Sequence, residues 1–219
     1  ASLTNFKQIL INFLEKTHIP NDRKDLYEIL LLLLKIANHH YRYQGFYDKI
    51  NQIIKFLKLI LNAVMKNIKQ TFSNLEIFNI FKKNLIILHC LFKNEILVFD
   101  YYIIRYLYEN CGFEFFWPEI KKDEKFQKYY NDKITKKYPT NFEEIRKSGE
   151  NDSYICQLIR NDSIQEFIIY VNKNLIPLSI KIEKSIFETN YYLIKHQPSL
   201  IEYAAFYGSI QIFNYIRLN

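Results

Sequence analysis

Glycine and proline are scarce, at 4 and 5 residues in a chain of 219. That excludes a collagen-like chain and argues against a loop-rich β-sandwich, whose many turns require both. Four glycines cannot furnish a Gly-rich phosphate loop, and no GxGxxG, GxSxG or HExxH pattern occurs. Cysteine is limited to Cys90, Cys111 and Cys156, an odd number at wide spacing with no CxxC. Neither a zinc ribbon nor a dithiol redox motif is indicated, and buried reduced thiols are expected. The longest apolar run, Ile29–Leu34, is six residues, against the ~20 of a membrane-spanning helix. No secretory signal pattern is read at the start. A soluble, intracellular, cytoplasmic protein is expected.

Apolar residues make up 49% and charged residues 24%, ordinary globular usage that excludes a disordered tail. The formal net charge is +7, a balance that fits nucleic-acid or anionic-membrane partners. Its distribution weakens that reading. Of the 30 basic residues 24 are Lys and 6 are Arg, and Arg is the side chain that grips phosphate bidentately. Residues 1–117 carry 15 basic and 10 acidic groups, 118–150 carry 9 and 7, and 151–219 carry 6 and 6. Richness in Asn, Lys, Ile, Phe and Tyr is also what an A/T-biased genome encodes, and that is the preferred source of the excess.

Apolar residues recur at helical spacing along the chain. The stripes are Leu3–Leu14, Leu26–Ala37, Ile50–Ile68, Phe78–Phe92 and Leu97–Tyr108, the last stopped at Cys111-Gly112. Pro118 is placed at the first position of a further helix. Residues 119–150 are polar and Lys-rich, with Pro139 and Gly149. The organisation predicted is an N-terminal helical domain over 1–117, a polar helical connector over 118–150, and repeats over 151–219. The fold class is all-α: a helical bundle or stacked hairpins, then paired helices at the start of an α-solenoid.

The paired helices are inferred from an internal repeat. Ser163-Ile164-Gln165-Glu166-Phe167 recurs as Ser209-Ile210-Gln211-Ile212-Phe213, an offset of 46. Each copy reads as a short helix, a tight turn at Asp162 or Gly208, a Ser N-cap and a second amphipathic helix. Ser163 with Glu166 has capping-box spacing. The chain has five Ala and four Gly, yet Ala204, Ala205 and Gly208 fall within five residues. Small residues there would let paired helices approach closely, and Gly would take a left-handed turn. Gly208→Val is accordingly expected to destabilise by a few kcal/mol. The run Ser199-Leu200-Ile201-Glu202-Tyr203-Ala204-Ala205-Phe206-Tyr207-Gly208 resembles an ankyrin repeat. It lacks that repeat's usual Pro and His, so its first turn is expected to have lost side-chain hydrogen bonds. The offset exceeds the ankyrin period of ~33 by about 13. An insertion over 175–197, with its own Ser185-x-x-Glu188 cap, accounts for the difference.

Together with Gly149–Cys156 and Ser185–Asn190, this run makes residues 142–219 resemble the uncharacterised domain preceding the ankyrin array in protist (trichomonad-type) ankyrin-repeat proteins. The resemblance implies an N-terminal helical region leading into ankyrin repeats, no known enzymatic activity, and a chain that continues into further repeats. The signature it carries is structural: Ser163, Ile164, Phe167, Ala204, Ala205, Gly208, Ser209, Ile210 and Phe213.

No catalytic residue, cofactor site or metal site is read, and no small-molecule ligand is implied. Cys90 and Cys156 are lone thiols in apolar helices, expected to be inert. His39-His40 precede a Tyr/Arg-rich stretch that is either a binding patch or core edge, and the core-edge reading is preferred. Phe113, Phe115, Phe116 and Trp117 are read as an aromatic plug between the bundle and the next part of the chain. Protein–protein interaction is the expected function, with an unidentified protein partner. The alternative is anionic-membrane or nucleic-acid binding through the Lys face of helix 49–69, with Lys55, Lys58, Lys66 and Lys69. The ordinary reading of that face is the solvated side of a bundle helix.

Overall fold

Leu26, Ile29, Leu30 and Leu33 recur at i, i+3, i+4 and i+7 and form the buried stripe of α1 (Arg23–His40). The computed structural model describes residues 22–40, 51, 68–110, 112–130 and 138–219. Among these the regular structure is helical, with isolated bridge residues and no strand, so the all-α class is seen. No described helix is long and apolar enough to cross a membrane. The stripe Leu3–Leu14, most of Ile50–Ile68, and the stretch beginning Tyr41 lie outside the described residues. The chain divides into two compact units, Ala1–Tyr138 and Pro139–Asn219. The division falls inside the polar stretch 118–150.

In the first unit the predicted stripe Phe78–Phe92 is two helices, α2 (Asn74–Phe81) and α3 (Leu85–Lys93). Asn84 breaks it. Its backbone N–H turns back to the Phe81 carbonyl (2.7 Å), and its side chain accepts the Ile87 N–H (3.0 Å) as an N-cap. Asn competes with helical hydrogen bonding in this way, so continuous apolar periodicity does not guarantee a continuous helix. Ser73 and Glu76 close a capping box on α2. Every residue of α3 from Leu85 to Phe92 is buried.

α4 (Tyr101–Asn110) buries Ile103, Ile104 and Leu107 and exposes Tyr101, Tyr102 and Tyr108. It is followed by Gly112 at φ +120°, where a Cβ would lie 3.2 Å from Leu85 Cδ2 and 3.3 Å from Leu107 Cδ2. Glycine permits both the backbone turn and that close approach. α5 (Phe113–Ile120) carries Pro118 in its interior rather than at its first position. Proline removes the bond that the Glu114 carbonyl would have accepted. The Tyr138 hydroxyl donates to that carbonyl instead (3.2 Å). Phe113, Phe115, Phe116 and Trp117 are all buried inside this unit. Phe115 meets His89 edge-on and Phe116 meets Phe92, with ring centroids 5.9 and 5.5 Å apart. The aromatic run is therefore core of the first unit, not a plug beyond it. α6 (Glu124–Tyr130) comes next.

The second unit begins with α7 (Phe142–Ser148), closed by Gly149 in the left-handed region. Two helical hairpins come after it: α8 (Tyr154–Arg160) with α9 (Ile164–Lys173), and α11 (Leu200–Tyr207) with α12 (Ile210–Leu218). Their turns are hydrogen-bonded alike. The Asp162 and Gly208 N–H groups donate to the Ile159 and Ala205 carbonyls (3.0 and 3.2 Å). The Ser163 and Ser209 N–H groups donate to Leu158 and Ala204 (3.0 and 2.9 Å). Both are Schellman turns, with Asp162 at φ +51° and Gly208 at φ +73°. The first helices pack together, as do the second, around Cys156, Ile159, Phe167, Val171, Leu200, Tyr203, Ala204 and Ile212.

The insertion leaves and rejoins at one place. Lys181 and Ser199 form an isolated antiparallel bridge, flanked by Ile182 N–H to Pro198 O (2.8 Å) and Leu200 N–H to Ile180 O (3.2 Å). Between them lies α10 (Tyr191–His196), capped by Asn190. The expected Ser185–Glu188 cap is absent, because no helix starts there. Ser185 turns instead to Asp152, and Glu188 is buried.

Nothing lies within 4 Å of a Cβ built on Gly208. Its glycine serves the left-handed backbone, not close approach of the helices. Gly208→Val should therefore cost about 1–2 kcal/mol, the strain of that conformation alone, and Gly208→Asn clearly less. Thermal melting of the two variants checks both values.

Candidate functional site

Of the signature residues, Ala204, Phe167 and Ser209 are buried, whereas Ala205 and Ile210 are exposed and Gly208 stands at an exposed turn. Ser163, Ile164 and Phe213 are partly buried. The two serines behave differently from expectation. Ser163 makes no side-chain cap, so its box with Glu166 is not formed. Ser199 and Glu202 do form one, with Ser199 N–H to Glu202 Oε2 at 2.7 Å and Glu202 N–H to Ser199 Oγ at 3.4 Å. The first turn of the second copy has kept side-chain hydrogen bonds after all, supplied by a capping box in place of Pro and His.

The repeated turn is used to join the hairpins. Ser209 leaves the start of α12 and donates its hydroxyl to the Ile159 carbonyl of the other hairpin. The vacated role is taken by Asp162, whose carboxylate accepts the Gln211 and Ile212 N–H groups (3.1 and 3.0 Å). One hairpin thus caps the helix of the next, where the positive end of the helix dipole favours an anion.

A largely buried polar junction links Arg160, the last residue of α8, to the loop before that helix. Arg160 Nε pairs with Glu150 (2.9 Å), and its Nη1 donates to the Asn151 carbonyl (2.8 Å) and the Tyr203 hydroxyl (2.9 Å). Glu188 is 5% exposed. It accepts the Asn190 N–H at Oε1 (2.8 Å) and the Asn151 N–H at Oε2 (3.3 Å). Asn151 Nδ2 donates to the Glu183 carbonyl (2.8 Å), and Thr189 donates its N–H and hydroxyl to the Gly149 carbonyl (3.0 and 2.7 Å). The stretches Gly149–Cys156 and Ser185–Asn190, distant in sequence, are stitched together here.

No family model, curated protein or solved structure matches this chain.

Burial sets the chemistry of the junction. It pushes Glu188 up to about 7, against the pull of the two backbone N–H groups and Arg160. It also raises Glu150, with Arg160 opposing. Cys156 is driven up to about 11, chiefly by burial and against the pull of Arg160, so it carries little thiolate at neutral pH. Burial likewise raises Tyr203 and Tyr207 above the ordinary phenol range. Among the described residues no group of three His, Cys, Asp or Glu side chains is placed to hold a metal ion. Cys90 is buried and in no disulfide. Lys69 donates to the Glu95 carbonyl. Lys55, Lys58 and Lys66 lie outside the described residues.

From the sequence, Asp162 is placed only at a turn and Glu188 only in a helix cap, and Arg160 is not singled out. Asp162 had a usable signal, an acid standing where the other copy has Gly. Removing its carboxylate should weaken the stack: Asp162→Gly relieves the left-handed backbone yet should still lose about 1 kcal/mol. A lower urea midpoint at unchanged slope would register that loss.

Proposed function

We propose that the chain is a non-enzymatic protein–protein interaction module in which an N-terminal helical region leads into ankyrin-like helix pairs. The carrying observation is the hairpin stack, with the same Schellman turn recurring at the 46-residue offset. The short antiparallel bridge before the second hairpin and the small buried Ala204 support an ankyrin-like reading. So does the way the insertion leaves and rejoins at that bridge, which returns the period toward ~33. Stacked hairpins present their tips and a concave face as a continuous surface, the part of a repeat array that binds partners. The partner is a protein, as ankyrin-like pairs favour, and the setting is intracellular, which the odd, widely spaced cysteines of the sequence support.

Affinity capture from lysate at low and high salt tests the reading. A protein retained at both, and bound directly by the purified chain in calorimetry, is the expected result, since apolar contacts are not screened. Ile210→Glu, on a side chain 69% exposed, should weaken that binding about tenfold or more without lowering the melting temperature. Nucleic acid or lipid that washes off at high salt would overturn the proposal in favour of the Lys face.

A further inference from the structure

Two carboxylates lie near a single guanidinium at the junction. Arg160 is engaged by Glu150 at 2.9 Å, and Glu188 is left with two backbone N–H groups. Glu188 is almost wholly buried, and Glu150 is partly covered, its side chain 32% exposed. With both ionised, the site holds one more negative charge than positive in a poorly solvated space. A proton is the simplest counter-charge.

Glu188 also holds the insertion in place. It spans from the N-terminus of α10, through Asn190, to the loop before α8, through Asn151. Thr189, Ser185 and the Glu183 carbonyl make the remaining ties between the same two segments. Any change in the favourability of burying Glu188 therefore acts on the docking of residues 183–197.

We propose that Glu150, Arg160 and Glu188 form a proton-binding clasp that sets how firmly residues 183–197 are held against the first hairpin. The groups facing Glu188 are Arg160 and Cys156 on α8, Glu150 before it, and Tyr203 and Tyr207 on α11. The thiol and both phenols titrate above the neutral range and Arg160 stays charged, so the two carboxyls carry the response. Glu188 has its folded-state value raised to about 7 from 4.5. A raised acid is bound to its proton when docked and releases it on opening. The docking it contributes is complete below about 4.5, declines as pH rises, and is gone once pH passes about 7.

Hydrogen exchange of peptides covering 183–197, corrected for the intrinsic rate and followed from pH 5 to 8, tests the clasp. In the wild-type chain the opening equilibrium should grow by about tenfold per pH unit up to about 7 and then level off. Glu188→Gln should remove most of the pH dependence and leave only the part that Glu150 contributes. Glu150→Gln removes the like charge while keeping Glu188, so its profile should level off at a lower pH even if Glu188→Gln fails to fold. A flat wild-type profile, or an identical profile in Glu150→Gln, overturns the proposal.

Discussion

A helix of seven to ten residues has nearly as many unpaired backbone groups at its two ends as it has residues. Helices α8, α9, α11 and α12 all fall in this range, too short to persist alone in water. Where those end groups find partners decides the architecture of the second unit. The Schellman turns satisfy the carbonyl ends of α8 and α11. Ser199 and Glu202 satisfy the amide end of α11 locally, and Asp162 satisfies that of α12 from the neighbouring hairpin. In the first unit the same requirement explains why Asn84 ends one helix and begins another, and why Tyr138 reaches the carbonyl that Pro118 orphans.

What the sequence made legible was what depends on local spacing. The helix-turn-helix copies could be read from Ser163 and Ser209, and from Asp162 and Gly208, because a reversal of this type needs a residue tolerant of positive φ. The buried stripe of α1 was equally plain. Other features depend on competition between neighbours. Both Ser163-x-x-Glu166 and Ser199-x-x-Glu202 have capping-box spacing, and only the second closes. Pro118 could open a helix or sit within one, and a tyrosine twenty residues away resolved the matter. Glu188 reads as the acid of a local helix cap, since an acid in a polar stretch looks solvated until tertiary contacts cover it.

The buried junction and the interaction-module proposal are compatible because the junction's groups face inward. Cys156, Tyr203 and Glu188 are reactive side chains by type, yet each is enclosed; the thiol and the phenol stay neutral at pH 7, and burial raises Glu188 to about 7. Polar groups placed this way select one arrangement of loops, since a misplaced insertion would part Glu188 and the Glu183 carbonyl from Asn151. That requirement gives residues 183–197 a defined seat although they stand outside the repeated hairpins.

The cap that Asp162 lends to α12 has a bearing on cooperativity. In a linear array, each unit's stability is the sum of an intrinsic part and a coupling to its neighbour. A carboxylate that would ordinarily count toward its own hairpin here belongs to the coupling, as does the hydroxyl Ser209 returns to Ile159. Weak units with strong coupling melt together, whereas strong units with weak coupling fray from the end. The second unit is built on the first pattern, so partial loss of one hairpin removes helix-end partners from the other.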